Sequence, residues 1–360
     1  MRKTICSGIN FFLKPLGLTL LGEKKFNSLV WEKDALAALY EARNQRVSKN
    51  CEYPVAGIVF SKDRALQLHA LLSSYYEKVI PPVPLHILYD TSTPAHQKAY
   101  EEVFSLFSAR HISFAKQNNW NSFSEDLIRL LLALEADKVF FLVDDILFIE
   151  DVDLWDFAKF NTDRFVPSLR MGLNLDWCYV LQKKQPWPEW TADPDKGDKG
   201  AGEIISCRKN AENDFLLTGA ATDGDKLYWR WDQGVYEWGY PLSVDGHLFS
   251  TGEITEIARL ISFQAPNTFE DDLQKFYRLF ASRLGVSYRK SRIVNIPCNK
   301  VQQENDNICG TIGPDFLLEQ WQKGFQMNYR QLYGFINTSV HQDIAFELIP
   351  RPATQNSLNK

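Results

Sequence analysis

From Val55 onward, short apolar runs alternate with stretches whose apolar positions recur every three or four residues. "VAGIVF" (55–60), "PLHILYD" (84–90), "HISFA" (111–115) and "KVFFLV" (138–143) have the length and residue types of strands. Between them, "SKDRALQLHALLSSYYEKV" puts Leu68, Leu71, Leu72 and Tyr75 on one helical stripe, with Ser61 or Asp63 as its cap. In "TSTPAHQKAYEEVFSLF", Thr93 fits the N-cap, Pro94 the first helical position, and Tyr100, Val103, Phe104 and Phe107 the inner face. Ser122 and Glu125 fit a capping box ahead of a helix filled by Leu127 to Leu134. This alternation predicts an α/β fold with a mostly parallel sheet flanked by helices.

Sheets of this kind bind ligands beyond the carboxyl ends of their strands. Ser61–Arg64, Asp90, Lys116–Asn119 and Asp144–Asp145 fall at those ends, far apart in the chain and gathered at one rim by the architecture. The last pair leaves an apolar strand directly, and a buried charge is costly unless it is paired or bound to metal. Oxygen ligands of this type suit Mg²⁺ or Mn²⁺. The plainer alternative has Asp144 capping the next turn and Asp145 in water.

Beyond Asp153 the pattern changes. Residues 176–240 hold six of the ten tryptophans, and "TADPDKGDKGAGE" (191–203) reads as a loop. "FLLTGAATDGDKLYWRW" predicts a hairpin turning at Asp223–Gly224. "SVDGHLFST" offers Asp245 and His247, the latter as a metal or acceptor contact or as a structural histidine. "NTFEDDLQKF" predicts a helix starting at Phe269 behind a Thr268 cap, with Glu270, Asp271 and Asp272 in its first turn, where the helix dipole alone also favours acids. "SRIVNIPCNKVQ" is a late strand. Most tryptophans belong in a core; Trp229, Trp231 and Trp238, nearest "DGH", are the candidates for stacking on a sugar.

Composition narrows the partners. The 360 residues are 45% hydrophobic and 24% charged, with a net charge of -5, so no basic footprint points to nucleic acid. Cysteines 6, 51, 178, 207, 298 and 309 form no C-x-x-C pair and read as free thiols of a reducing compartment, the cytoplasm. "MRKTICSGINFFLKPLGLTLLGEKKF" is apolar with basic flanks, too short to span a bilayer. It predicts either a helix on the inner face of a membrane, a peripheral contact, or a helix packed on the domain.

"VAGIVFSKDRALQL", "LHILYDTS" and "FLVDDILF", in this order and spacing, resemble the GT-A glycosyltransferases, in particular the inverting family-2-like group. The likeness covers Val55 to Asp153 and continues more loosely to Gln302, with Asp63 in the position of the family's Asn. It implies a metal-dependent transfer, with Mn²⁺ or Mg²⁺, from a nucleotide-diphosphate sugar to a glycan or glycolipid acceptor. By the same analogy Asp90 contacts the base, Asp144 the ribose or sugar and Asp145 the metal, with Ser61, Arg64 and Lys116 near base or diphosphate. The general base comes from Glu270 and Asp271 ahead of Asp272, or from Asp245. The late-strand histidine that some relatives use as a ligand is missing; Asn299 is the nearest polar residue. The implied organisation is an N-terminal helical segment (1–50), a donor half (51–155), an acceptor half (156–322) and a peripheral segment (323–360). A nucleotidyltransferase is the nearest competing enzyme, but no glycine-rich phosphate loop follows the first strand. A non-catalytic carbohydrate-binding protein would need the tryptophans and not Asp145.

Overall fold

The computed structural model describes residues 23–44, 51–119, 122–191, 206–209, 215–218, 226–298 and 313–352. The N-terminal stretch up to residue 22, almost all of the 191–203 loop, the Asp223–Gly224 turn and Asn299 lie outside the described residues.

The first half runs α1 (Glu23–Asn44), β1 (Val55–Lys62), α2 (Ala65–Lys78), β2 (Leu85–Asp90), α3 (Pro94–Phe107), β3 (Ile112–Lys116), α4 (Phe123–Ala133) and β4 (Lys138–Val143). The second half contributes β5 (Ile146–Phe148), β6 (Phe165–Ser168), β7 (Trp190–Thr191), β8 (Lys226–Arg230), β9 (Leu248–Ser250), α5 (Thr251–Leu260), α6 (Pro266–Leu273), β10 (Leu284–Tyr288), β11 (Ile293–Asn295) and α7 (Pro314–Gln322).

The central sheet has the order β9-β4-β1-β2-β3. β4, β1, β2 and β3 are parallel, and β9 closes the edge antiparallel to β4. The mixed α/β architecture with a mostly parallel sheet is the predicted one. Alternation along the strands divides the core. Val55, Val59, Phe140 and Leu142 face α2 and α3, while Ala56, Ile58, Phe60, Val139 and Phe141 face α4, α5 and α6. A parallel sheet covered on both faces needs such continuous apolar strands. Burying each large aliphatic or aromatic side chain contributes about 1.5–3 kcal/mol. α1 lies against α5 through Ala35 and Leu39. No helix among the described residues is long and apolar enough to cross a membrane.

Local chemistry explains some helix starts. Thr93 caps α3, its Oγ1 accepting from His96 N at 3.3 Å with Pro94 in the first turn. Three starts differ from expectation. α2 begins behind Arg64, so neither Ser61 nor Asp63 is its N-cap. Ser122 makes no capping box with Glu125; its hydroxyl donates to Asn119 O and Asp126, tying the preceding loop to α4. α6 begins at Pro266 rather than Phe269, because proline's fixed φ suits the first helical position. Thr268 is then inside the first turn, and its Oγ1 accepts from Gln264 N and Ala265 N.

A second sheet, β6-β10-β8-β7, carries the tryptophan-rich half. The predicted hairpin does not form: Phe215–Thr218 pairs with Ser206–Lys209, and β8 pairs instead with β10 and β7. Side-chain packing selects that partner. Trp229 of β8 lies directly opposite Gly285 of β10, and a Cβ on Gly285 would fall 2.2 Å from the indole. Trp229, Trp231 and Trp238 have no exposed surface, and Trp229 meets the other two edge-on with centroids at 4.7 and 5.1 Å. Their apolar area is spent on the core, and no ring face is left for a sugar. Cys51, Cys178 and Cys298 are thiols rather than disulfide halves.

Gly285→Val is therefore expected to destabilise the fold by about 1–3 kcal/mol through overpacking against Trp229. A urea titration followed by tryptophan fluorescence reads it; an unchanged midpoint would contradict this seat for the indole.

Candidate active site

Asp144 and Asp145 form the tight turn between β4 and β5, beside the end of β1. β1 runs two residues further than its apolar run, so Ser61 is a strand residue and not a helix cap. Its Oγ donates to Asp144 Oδ2 at 2.8 Å and pairs with Tyr100 Oη at 2.6 Å. Lys62 N donates to the same Asp144 oxygen at 3.1 Å. Arg64 completes the arrangement: one guanidinium nitrogen stands 2.9 Å from Asp144 Oδ1 and 3.0 Å from Asp145 Oδ2. From the other side, Asn295 Nδ2 donates to Asp145 Oδ1 at 2.9 Å, and Ile296 N to Asp145 O at 2.9 Å. The acids thus answer the cost of burial with an arginine and a set of hydrogen bonds.

The remaining rim residues separate into two groups. Asp63 adopts the left-handed conformation (φ 55°) and accepts from Ser92 N and Ser92 Oγ at 2.7 and 2.6 Å, joining the ends of β1 and β2. Asp90 pairs with Lys62 at 3.4 Å and accepts from Thr91 N. Lys116 is exposed and donates to Gln97 Oε1 at 2.8 Å, away from the acid pair.

A second polar cluster comes from the other half of the chain. Arg170 is buried and bonds Glu237 and Ser243, and lies 3.5 Å from Asp245. His341 Nε2 is 3.2 Å from Asp245 Oδ2. The C-terminal segment delivers that histidine by bridging to β11: Asn295 N donates to Val340 O, and Gln342 N to Asn295 O, both at 3.0 Å. His247 is buried, with Nδ1 3.0 Å from Pro241 O, its ring 5.3 Å from Trp231 and its Nε2 buried without a partner.

The two clusters share an electrostatic field. Burial raises Asp145 to about 6; Arg64 opposes the rise, and the negative charges of Asp144 and Asp245 add to it. Burial, followed by Asp245, raises Glu270 to about 7, with Arg170 and His341 opposing. Burial works against charge on His341, but its bond to Asp245 and that carboxylate's charge outweigh it and raise its pKa. Asp245 also resists burial and is held below the usual carboxylate range by His341 and Arg170. Of the three consecutive acids at 270–272, Glu270 belongs to this field. Asp271 is exposed, and Asp272 accepts from Ser262 N and pairs with Lys275.

Arg170, Glu237, Asn295 and His341 were not picked out from the sequence. His341 sits in a stretch with no patterned signal, and only the pairing with β11 brings it in. The others are isolated polar residues in mixed segments.

Among the described residues no group of three or more His, Cys, Asp or Glu side chains is set to hold a metal ion. The donors nevertheless fit a hard divalent ion in kind. Asp145 is pushed up by burial and uncompensated negative charge, and Asn295 Oδ1 and His341 Nδ1 are buried without a protein partner. Both carboxylates are engaged by Arg64, so an ion there competes with the guanidinium.

No protein-family model matches the sequence, and no curated protein matches it. Solved structures do. S. aureus TarS (residues 1–349) aligns with a TM-score of 0.39 and 12% identity over 68% of this chain and 60% of that one. The 4-diphosphocytidyl-2C-methyl-D-erythritol synthase of Anaerococcus prevotii gives 0.35 and 10% over 75% and 96%. The mannosyltransferase PcManGT of Pyrobaculum calidifontis, solved with GDP-Man and Mn²⁺, gives 0.26 and 14% over 39% of this chain; the chain spans only 45% of that protein's length. At these low scores the site is read from its own geometry.

Arg64→Leu should destabilise the protein by about 3–5 kcal/mol at pH 7, because it strands two buried carboxylates. The loss should shrink toward pH 5 as one of them takes up a proton. Denaturant titrations at the two pH values check both statements; a pH-independent loss would mean that packing, not charge, holds the rim.

Proposed function

We propose that this chain is a glycosyltransferase that moves a sugar from a nucleotide-diphosphate donor to a hydroxyl acceptor, with inversion. The observation that carries the reading is one shared field with two poles. Asp144 and Asp145 stand at the strand ends against Arg64, and the paired Asp245 and His341 act both on Asp145 and on Glu270, whose carboxyl burial raises to about 7.

The donor lies along the rim, its base toward Asp90 and its diphosphate toward Ser61, Arg64 and the acid pair. Asp145 and Asp144 would hold a divalent ion, Mn²⁺ or Mg²⁺, which supplies positive charge to the departing diphosphate. Glu270 as carboxylate accepts the proton of the acceptor hydroxyl. The oxygen so freed bonds to the anomeric carbon while the bond from that carbon to the diphosphate oxygen breaks, and the nucleoside diphosphate leaves with the electron pair. Asp245 and His341, locked together, hold the charge around Glu270 steady. Arg170 fixes Asp245 and limits how far the glutamate's pKa rises. A base near the working pH is strong enough to take the proton and is still largely ionised.

Calorimetric titration with nucleoside diphosphates should show binding strengthened by Mn²⁺ and lost in Asp145→Asn. Metal-indifferent binding, or binding that survives the substitution, would remove the donor site from this rim.

In turnover assays that follow nucleoside diphosphate release from a donor panel, kcat/KM should rise with pH through about 7. Glu270→Gln should lower it about 10²–10⁴-fold and flatten that limb. Stability gives an independent check. A carboxyl raised from 4.5 to about 7 in the fold contributes stability that is complete below 4.5 and lost as pH rises through about 7. Glu270→Gln should therefore be at least as stable as the parent protein at pH 8. A flat wild-type pH profile would assign the base elsewhere.

A further inference from the structure

Beside the second polar cluster is an exposed apolar lip that the chemistry above does not use. A short hairpin pairs Trp177–Cys178 with Lys183–Lys184 and turns through Tyr179–Gln182. At its tip Val180 and Leu181 are 61% and 49% exposed. Against it packs the turn at Val235 and Tyr236, also exposed, with Lys183 Nζ 4.2 Å above the Tyr236 ring.

Both arms of the lip are rooted in the site. Tyr179 packs against His341, with ring centroids 6.3 Å apart, and its hydroxyl donates to Asp343 at 3.0 Å. Glu237, next to Tyr236, is the partner of Arg170, and its amide donates to Gln185 Oε1 on the hairpin side. The tip is also held at a conformational cost. Among the described residues three non-glycines have positive φ: Asp63 at the rim, and Gln182 (50°) and Tyr236 (54°) at the lip. A left-handed backbone costs a bulky side chain about 1–2 kcal/mol, and such strain concentrates where a ligand is handled. Grouped exposed apolar residues rimmed by polar ones mark an interaction site. The lip also carries charge: Lys183 and Lys184 are exposed, and neither is ion-paired to an acid among the described residues.

We propose that this lip receives the acceptor, and that the acceptor is an amphiphile: an apolar tail lying on Val180, Leu181, Val235 and Tyr236, joined to its sugar end through an anionic group met by Lys183 and Lys184. The inference rests on the transferase reading and deepens it by naming the acceptor class. In this arrangement the tail lies on the exposed tip and the hydroxyl-bearing end runs along Tyr179 toward His341.

The test uses farnesyl phosphate as probe, titrated into the full-length protein with a nucleoside diphosphate present at saturation. Saturable binding is expected, at least tenfold tighter than to farnesol or to inorganic phosphate. The double variant Val180→Ser/Leu181→Ser should weaken it at least tenfold, as should Lys183→Glu/Lys184→Glu. These exposed substitutions should leave nucleoside diphosphate affinity unchanged, which confirms that the variants are folded. Failure of the wild type to bind farnesyl phosphate, or equal binding by the variants, overturns the proposal. Binding to phosphatidylglycerol vesicles without binding to the soluble probe overturns it in favour of a membrane surface. If the wild type binds farnesyl phosphate but no nucleoside diphosphate at all, the transferase reading fails while the lip stands.

Discussion

One arginine balances the rim. Arg64 stands between two carboxylates that leave a strand buried on both faces, and without it neither could stay ionised there at modest cost. Its own placement depends on the end of β1, where Asp63 takes a left-handed turn and anchors on Ser92. The strand end, the turn and the acid pair are thus one mechanical unit. That unit still carries more negative than positive charge, which, together with burial, is why Asp145 is raised even with Arg64 in contact. A diphosphate approaching it would be repelled unless positive charge arrived with it, and a divalent ion is the simplest carrier of that charge.

The second cluster solves a different problem with the same materials. Asp245 is drawn down by His341 and Arg170, so it stays charged, and its fixed charge then adds to the burial that pushes Glu270 up. Carboxylates in one neighbourhood are driven apart in acidity by their partners, which is how a protein obtains an ionised acid and a near-neutral one from similar side chains.

The legible part of this structure was the part encoded locally. Strands 55–60 and 138–143 announce themselves through short, unbroken apolar runs, and Thr93 with Pro94 marks a helix start by backbone chemistry alone. Asp144 and Asp145 stand out because charge in an apolar run violates the pattern. Partner choice was not legible. β8 pairs with β10 because an indole needs a glycine opposite, and that fit between Trp229 and Gly285 is invisible until the strands are side by side. Asn295 and His341 reach the acid pair and Asp245 through a bridge between distant segments, and Arg170 looks like any other arginine until its three partners surround it. The start of α6 was readable in principle, since Pro266 carries the signal that Thr268 obscured.

The bridge between Val340–Gln342 and Asn295 has a consequence for how the molecule comes into being. The strand-end acids and their arginine can assemble once the first sheet has left the ribosome. The histidine that sets the charge around Asp245 lies far downstream of every strand of that sheet and emerges well after it. A nascent chain can therefore fold its central sheet early and still present an unfinished reaction centre, so that competence arrives as a late, single event rather than growing with chain length.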